Sequence, residues 1–83
     1  MDPQLRDKAR VLVRSGALPC KQQERTWAGR GLGFECSLCG QLIRRDQVEY
    51  ELQFASDGEQ KPRLHRFHVA CVPIWELARR EDC

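Results

Sequence analysis

The N-terminal segment places apolar residues at helical spacing and predicts a helix over residues 3–15. Its apolar positions recur every three or four residues, at Leu5, Ala9, Leu12 and Val13. Asp2 before Pro3 is a favourable helix start, and Gly16 is a favourable residue just after a helix end. We expect this amphipathic helix to pack on the rest of the chain; a helix left free for a partner is the alternative.

Residues 47–54 alternate strictly between polar and apolar and predict a half-buried β-strand. The apolar positions of this strand share one face: Val48, Tyr50, Leu52 and Phe54. The polar positions, two of them glutamates, share the other face. We therefore expect one face of the strand to pack on the core and the other to meet solvent.

The dipeptide Asp57-Gly58 is a strong hairpin-turn signal and predicts a returning strand at about residues 62–67. A two-residue turn at this position would set the register of the hairpin. It would place Phe67 opposite Val48 and His65 opposite Tyr50, on the apolar face.

The C-terminal segment predicts a second helix that begins near residues 69–72. Its apolar positions follow the spacing i, i+3, i+4 and i+7, at Cys71, Ile74, Trp75 and Ala78. Pro73 is tolerated because it falls in the first turn. Arg79 and Arg80 in the last turn suit the helix dipole.

Residues 17–34 show no sustained periodicity and contain several glycines, which predicts a loop. We expect Trp27 and Phe34 to anchor this loop by burying their rings, because a small core needs its aromatic residues. The alternative is an exposed patch of Arg25, Trp27 and Arg30 that stacks on bases and contacts phosphates.

The length of 83 residues suits one domain with a modest core, for which a structural metal is a common reinforcement. An apolar fraction of 41% and a charged fraction of 31% are those of a folded, water-soluble chain. The sequence has no stretch typical of a membrane span or a signal peptide, so we expect a cytoplasmic protein. Because that compartment is reducing and the five cysteines are an odd number, we expect no disulfide framework, and Cys20 is interpreted as a free bystander thiol.

The net charge of +2 is unevenly distributed along the chain. Residues 1–34 carry a net charge of +4, and residues 35–83 carry −2. A basic arm therefore precedes a mildly acidic module, which permits contact with nucleic acid without requiring it.

Two pairs of metal-binding residue types flank the predicted hairpin. Cys36 and Cys39 form a Cys-x2-Cys turn followed by Gly40, and His68 and Cys71 form a His-x2-Cys pair. Three thiolates and an imidazole are the ligands of a tetrahedral structural zinc site, so we predict one Zn²⁺ ion bound by these four residues. His65 is the alternative histidine ligand. Two other interpretations are buried, metal-free cysteines and a redox-active Cys36–Cys39 pair.

The order of Cys-x2-Cys turn, hairpin and helix over residues 36–81 resembles a treble-clef zinc finger. The whole sequence is also similar to a group of small uncharacterised bacterial proteins. The shared motifs are Arg-Thr-Trp at 25–27, Cys-x2-Cys-Gly at 36–40, Val-Glu-Tyr-Glu-Leu at 48–52, His-x2-Cys at 68–71 and Trp-Glu at 75–76. The resemblance implies an α+β fold in which residues 1–35, a helix and a glycine-containing loop, pack on a zinc module of residues 36–83.

The predicted function is that of a non-catalytic adaptor that binds another protein, with zinc in a purely structural role. Four protein ligands leave a zinc ion no open position for a substrate, and the sequence shows no other catalytic motif. We expect no membrane partner and no small-molecule substrate. The alternative is a regulatory nucleic-acid-binding finger whose contacts would come from Arg25, Trp27, Arg30, Arg44 and Arg45.

Overall fold

The computed structural model of the chain describes residues 2–55 and 63–83 and has an α+β architecture, as predicted. Its elements, in chain order, are α1 (Pro3–Ser15), β1 (Arg25–Arg30), β2 (Val48–Phe54), β3 (Arg63–His68) and α2 (Cys71–Asp82). The strands form one antiparallel sheet in the order β1-β2-β3. The predicted Asp57-Gly58 turn lies outside the described residues. Within the described ranges, neither helix is long and apolar enough to cross a membrane.

Helix α1 has the predicted bounds, and both of its ends are formed by the predicted residues. The Asp2 carboxylate accepts hydrogen bonds from the backbone N–H groups of Gln4 at 2.9 Å and Leu5 at 3.4 Å. These contacts satisfy two of the donors that a helix start leaves unpaired. Gly16 ends the helix with a φ of 84°, a left-handed conformation that glycine adopts without a steric penalty.

The two helices pack against each other through an apolar contact and a cluster of charges. Ala9 and Val13 of α1 are buried in the core. Beside them, the Asp82 carboxylate accepts hydrogen bonds from Arg10 at 3.0 Å and Arg14 at 2.7 Å, and its side chain is only 5% exposed. Although burial raises the pKa of Asp82, the hydrogen bonds and charges of these two arginines lower it below its usual range. The carboxylate is therefore ionised at neutral pH and links the ends of both helices.

Strand β1 corrects the prediction of an uninterrupted loop over residues 17–34. It pairs with β2 along its full length, with Trp27 opposite Glu51. All six of its residues are exposed, so the sequence lacks the alternation of apolar and polar positions that would have revealed a strand. The expected burial of the two aromatic anchors is also wrong: Trp27 is 44% exposed and Phe34 is 49% exposed.

The predicted strand at 47–54 is confirmed as β2, but the predicted register of the hairpin is wrong. Phe67 lies opposite Tyr50 rather than Val48, and His65 lies opposite Leu52 rather than Tyr50. The difference is two residues. Because side chains in a strand repeat with a period of two, this shift leaves every side chain on its predicted face.

The alternation along β2 predicts the burial of its residues only in part. Leu52 and Phe54 are buried, as expected. Val48 is exposed because it lies at the end of the sheet, where no residue of β3 pairs with it: the pairing of β2 with β3 ends at Glu49. Glu49, on the face that we expected to meet solvent, is buried.

Trp75 of α2 lies at the centre of the core and is fully buried. Its ring meets Phe54 edge-on at a centroid distance of 5.5 Å and stacks on Phe67 at 5.8 Å. Its indole Nε1–H donates a hydrogen bond to the Pro19 carbonyl at 3.0 Å, so the polar atom of the ring is satisfied. Trp75 thereby joins the helix, the hairpin and the segment that follows α1.

Cys20 and Cys83 form a disulfide, with their Cα atoms 5.6 Å apart. This corrects the interpretation of Cys20 as a bystander thiol. The two cysteines are 63 positions apart, and each lies just beyond the helix that brings it there. The sequence did not reveal the pair because only the packing of α1 on α2 brings these residues together.

Gly31 lies where the segment after β1 passes against the backbone of residues 43–44. A Cβ at this position would lie 2.0 Å from the Arg44 carbonyl oxygen, closer than any real contact. The Gly31 N–H donates to the Gln47 carbonyl at 2.9 Å, and the Gly33 N–H donates to the Ile43 carbonyl at 3.0 Å. Only a residue without a side chain fits this crossing.

Gly31→Ala should lower the free energy of unfolding by about 2 kcal/mol or more, because the backbone must move to accept the new methyl group. The matched control is Gly29→Ala, since a Cβ at Gly29 meets no atom within 4 Å. This control should change stability by no more than about 0.5 kcal/mol. Urea unfolding of both variants measures the difference, and equal stabilities would contradict the close approach.

Replacing both Cys20 and Cys83 by serine should lower the free energy of unfolding by about 4 kcal/mol, the chain-entropy expectation for a loop of this length. The oxidised wild type is the reference, and intact-mass measurement after thiol alkylation establishes its disulfide. An unchanged denaturation midpoint in the double variant would show that the disulfide contributes nothing to the fold.

Candidate metal centre

The four residues predicted as metal ligands converge on one point between the hairpin and α2. The ligand atoms of Cys36, Cys39, His68 and Cys71 all lie within 4.8 Å of one another. A tetrahedral ion with metal–sulfur bonds of about 2.3 Å requires its donors to be about 3.8 Å apart. The group could therefore hold one metal ion with only small side-chain adjustments.

The Cys-x2-Cys segment forms a tight knuckle closed by backbone hydrogen bonds. The Cys36 N–H donates to the Gln41 carbonyl at 2.8 Å, and the Gly40 N–H donates back to the Cys36 carbonyl at 3.0 Å. Gly40 has a φ of 78°, which explains the glycine that follows the second cysteine. The backbone N–H groups of Leu38 and Cys39 point at the Cys36 sulfur, and that of Gln41 points at the Cys39 sulfur. Backbone amides placed in this way favour the thiolate form of both sulfurs and hold them in position.

His68 presents its Nδ1 atom to the group and uses its other ring nitrogen for orientation. Its Nδ1 lies 3.4 Å from the Cys39 sulfur. Its Nε2 lies 3.2 Å from the Leu42 carbonyl oxygen, to which an Nε2–H donates. This hydrogen bond leaves a lone pair on Nδ1, the tautomer that a metal requires.

Cys71 is the first residue of α2 and approaches the group from the N-terminus of that helix. Cys36 and Cys71 are buried, whereas Cys39 and His68 are partly exposed. The positive end of the helix dipole favours negative charge at this position, as a thiolate ligand requires.

The packed sulfurs perturb one another's proton affinity. A hydrogen bond from the Cys71 thiol lowers the pKa of Cys36 to about 4, with help from the amides of the knuckle. The same hydrogen bond, together with burial, raises the pKa of Cys71, and burial raises the pKa of Cys39. One sulfur is thus already a thiolate near neutral pH, and a cation is what would favour ionisation of the other two.

His65, the alternative ligand, is not a member of the group. Its Nδ1 lies 3.1 Å from the Ser37 hydroxyl oxygen, and its ring packs edge-on against Phe54 at 5.6 Å. Burial, and the charge of Arg63, lower the pKa of His65. It is a neutral histidine at the border of the core.

The residues predicted for nucleic-acid contact are not members of the candidate ligand group. Arg25, Trp27 and Arg30 are on the exposed strand β1. Arg44 is engaged by Asp46, whose carboxylate accepts hydrogen bonds from its guanidinium at 3.1 and 2.8 Å. Arg45 and Arg30 line the same shallow pocket at the end of the sheet.

Sequence reasoning missed two residues near the group: Leu42, which supports a candidate ligand, and Ser37, which engages the histidine that is not one. The Leu42 carbonyl, which orients His68, is a backbone atom, and the sequence offers no signal for it. Ser37, which engages His65, stands inside the knuckle between the two cysteines, where the spacing alone assigned it no role.

No family model, curated protein or solved structure matches this chain. The resemblance to treble-clef fingers and to small bacterial proteins therefore rests on the sequence motifs and on the order of the elements.

Wild-type protein should bind one divalent ion per chain, and His68→Gln should weaken this binding by at least about 100-fold, since loss of a supporting residue alone costs 10- to 100-fold. His65→Gln is the matched control and should keep the ion. Native mass spectrometry with competing chelators measures both. Equal metal affinity in the two variants, or loss only in the control, would exclude His68 as a ligand.

Proposed function

We propose that this chain is a small non-catalytic adaptor that binds another protein and is held in shape by one structural Zn²⁺ ion. The observation that carries the proposal is that two distinct sets of residues are present: a group of four candidate ligands, two of them buried, and an exposed apolar surface on the side of the sheet away from the core.

The chemistry of the donor set favours zinc. Thiolates are soft ligands, and three of them with one imidazole suit Zn²⁺ rather than Mg²⁺ or Ca²⁺, which prefer oxygen. The knuckle, the hairpin and the helix that begins with the fourth ligand follow one another as in a treble-clef finger. We include that arrangement in the proposal.

A structural rather than catalytic role is supported by the number of donors and by their burial. Four protein ligands complete a tetrahedron, whereas catalytic zinc sites keep a position open. Cys36 and Cys71 belong to the same buried cluster as the apolar core. The ion would thus join the knuckle, β3 and α2 at the point where they meet.

The outer face of the sheet is the best candidate for the binding surface. We define this outer face by Trp27, Glu49, Glu51, Leu64 and Arg66, which the strand register places on the side away from Trp75. Large exposed apolar side chains gather here and on the adjoining segment after β1, at Trp27, Leu32, Phe34 and Leu64. A contiguous apolar patch rimmed by charge is typical of a protein-binding site.

A nucleic-acid-binding role is the second candidate because Arg25 and Arg30 flank Trp27 on an exposed strand. The register of the sheet weighs against it. Glu51 lies directly opposite Trp27, so a base stacked on this indole would bring its phosphates close to a carboxylate.

Removal of zinc should unfold the metal module, because apparent zinc-binding energies of about 10–16 kcal/mol exceed the usual stability of a domain this small. We expect a strong chelator, or Cys39→Ser, to collapse the dispersed amide spectrum of residues 36–55 and 63–83. Readdition of Zn²⁺ should restore the spectrum of the wild type but not that of the variant. A metal-free protein with an unchanged spectrum would refute a structural role for the ion.

The adaptor and nucleic-acid hypotheses differ in their dependence on salt and on Trp27. Capture of a partner protein by the wild type should survive an increase from about 50 to 200 mM salt and be lost in Trp27→Ser, because an apolar contact is little screened. Val11→Ser is the control, since Val11 is an exposed apolar residue on α1. Oligonucleotide binding that weakens steeply over the same salt range, and is lost when Arg25 and Arg30 are replaced, would favour the second candidate instead.

A further inference from the structure

A cleft of about 490 Å³ lies on the outer face and is lined by residues of all three strands and by Leu32 of the segment that follows β1. Its volume is within the range of small-ligand sites. Trp27, Leu32 and Leu64 form its apolar lining, and Glu49 and Glu51 also line it. It combines an aromatic ring, aliphatic side chains and two carboxylates in one place.

Glu49 is an unusual residue at this position because it is only 5% exposed. Buried carboxylates are rare unless they are paired. Its Oε1 atom has no hydrogen-bond partner among the described residues and is shielded from solvent. The desolvation of this oxygen therefore destabilises the folded protein, and a hydrogen-bond donor at Oε1 would offset this loss of free energy.

Arg66 lies close to the Glu49 carboxylate but forms no hydrogen bond with it. Arg66 Nε lies 3.8 Å from the other carboxylate oxygen, Oε2, which is an ion-pair distance but too long for a hydrogen bond. The Arg66 guanidinium is held elsewhere, since it stacks on the Phe34 ring at 4.2 Å and lies 3.5 Å from Glu51 Oε1. Arg30 also lines the cleft but forms no ion pair with either glutamate in the part of the chain that the structure describes.

We propose that this cleft binds a cationic side chain, lysine or arginine, of the partner protein. The cation would donate to Glu49 Oε1 and lie against the Trp27 ring, whose face attracts positive charge. The aliphatic stem of the same side chain would pack on Leu32 and Leu64. The proposal rests on the adaptor function and names the chemistry that the adaptor recognises.

Other occupants match the cleft less well. An apolar side chain would cover Glu49 and leave its oxygen without a donor. A phosphate or carboxylate group would find one cation in the lining, Arg30, but would meet the two charges of Glu49 and Glu51. An ammonium or guanidinium group supplies both the N–H donor and the opposite charge.

The test uses the zinc-loaded full chain and the side-chain analogue butylammonium as the probe. Trp27 and Trp75 are the two tryptophans, so two indole N–H signals report on the cleft and on the core, respectively. Butylammonium should shift the Trp27 signal saturably with a Kd on the order of 1–10 mM, as expected for so small a ligand, and leave the Trp75 signal in place. Butanol, which has the same size without the charge, should give no saturable shift.

Glu49→Gln should weaken butylammonium binding at least tenfold, because it keeps the shape of the side chain but removes its charge. Glu24→Gln, at an exposed position just before β1, is the matched control and should bind like the wild type. If Glu49→Gln does not fold, Trp27→Leu replaces it, with the backbone signals of Ala28 and Gly29 as the readout. This substitution of an exposed side chain should weaken binding severalfold.

The inference fails if butanol and butylammonium shift the same signals equally. It also fails if the folded Glu49→Gln variant, or Trp27→Leu in its place, binds butylammonium as tightly as the wild type. A partner protein that still binds the wild type in a Trp27-dependent manner would then leave the adaptor function standing without the cationic contact. Probe binding as predicted, together with oligonucleotide binding and no protein partner, would instead refute the adaptor function while the cation site remained.

Discussion

The convergence of four side chains on one point is the constraint on which the rest of the structure depends. The knuckle contributes Cys36 and Cys39, the end of β3 contributes His68, and the start of α2 contributes Cys71. Three thiolates at this separation would repel one another, so only one of the sulfurs is ionised without a cation, and full ionisation requires a metal ion between them. The backbone supports the group as well, through the amides of the knuckle and the Leu42 carbonyl. A metal ion bound by this group would link the knuckle, β3 and α2, which is the coupling of ion and fold that we propose.

Trp75 and the contacts between the two helices connect the rest of the chain to this centre. Trp75 packs on the hairpin and hydrogen-bonds the Pro19 carbonyl, which fixes the segment after α1. The next residue, Cys20, is joined by a disulfide to Cys83 beyond α2. An ion pair at Asp82 and a covalent bond thus act at the C-terminal end of α2, whereas the candidate metal ligand Cys71 lies at its N-terminal end. A chain of 83 residues gains from such cross-links because its core alone is small.

The outer face of the sheet combines exposed apolar side chains with a buried carboxylate. The segment after β1 passes against the backbone of residues 43–44 at Gly31 and brings Phe34 over Arg66. On this face Glu49 is buried, whereas Trp27 and Leu32 are exposed. The result is a face that holds a buried, incompletely paired carboxylate beneath exposed apolar side chains. These features have no evident role in stability, and they are what the proposed adaptor would use to recognise a cationic partner.

Local sequence determined both helices, the two strands of the hairpin and the candidate ligand set, because each depends on spacing within a few residues. The helix at 3–15, the strand that became β2 and the pairing of the Cys-x2-Cys and His-x2-Cys motifs could all be read from periodicity and motif spacing. Only the tertiary structure decided the strand β1, the hairpin register and the Cys20–Cys83 disulfide. An edge strand exposed on all six residues has no hydrophobic period, and a pair of cysteines 63 positions apart is joined only by helix packing. Glu49 is buried and Trp27 is exposed, the opposite of what their residue types suggest. Burial depends on which other residues pack over a side chain, and this is decided by the tertiary structure.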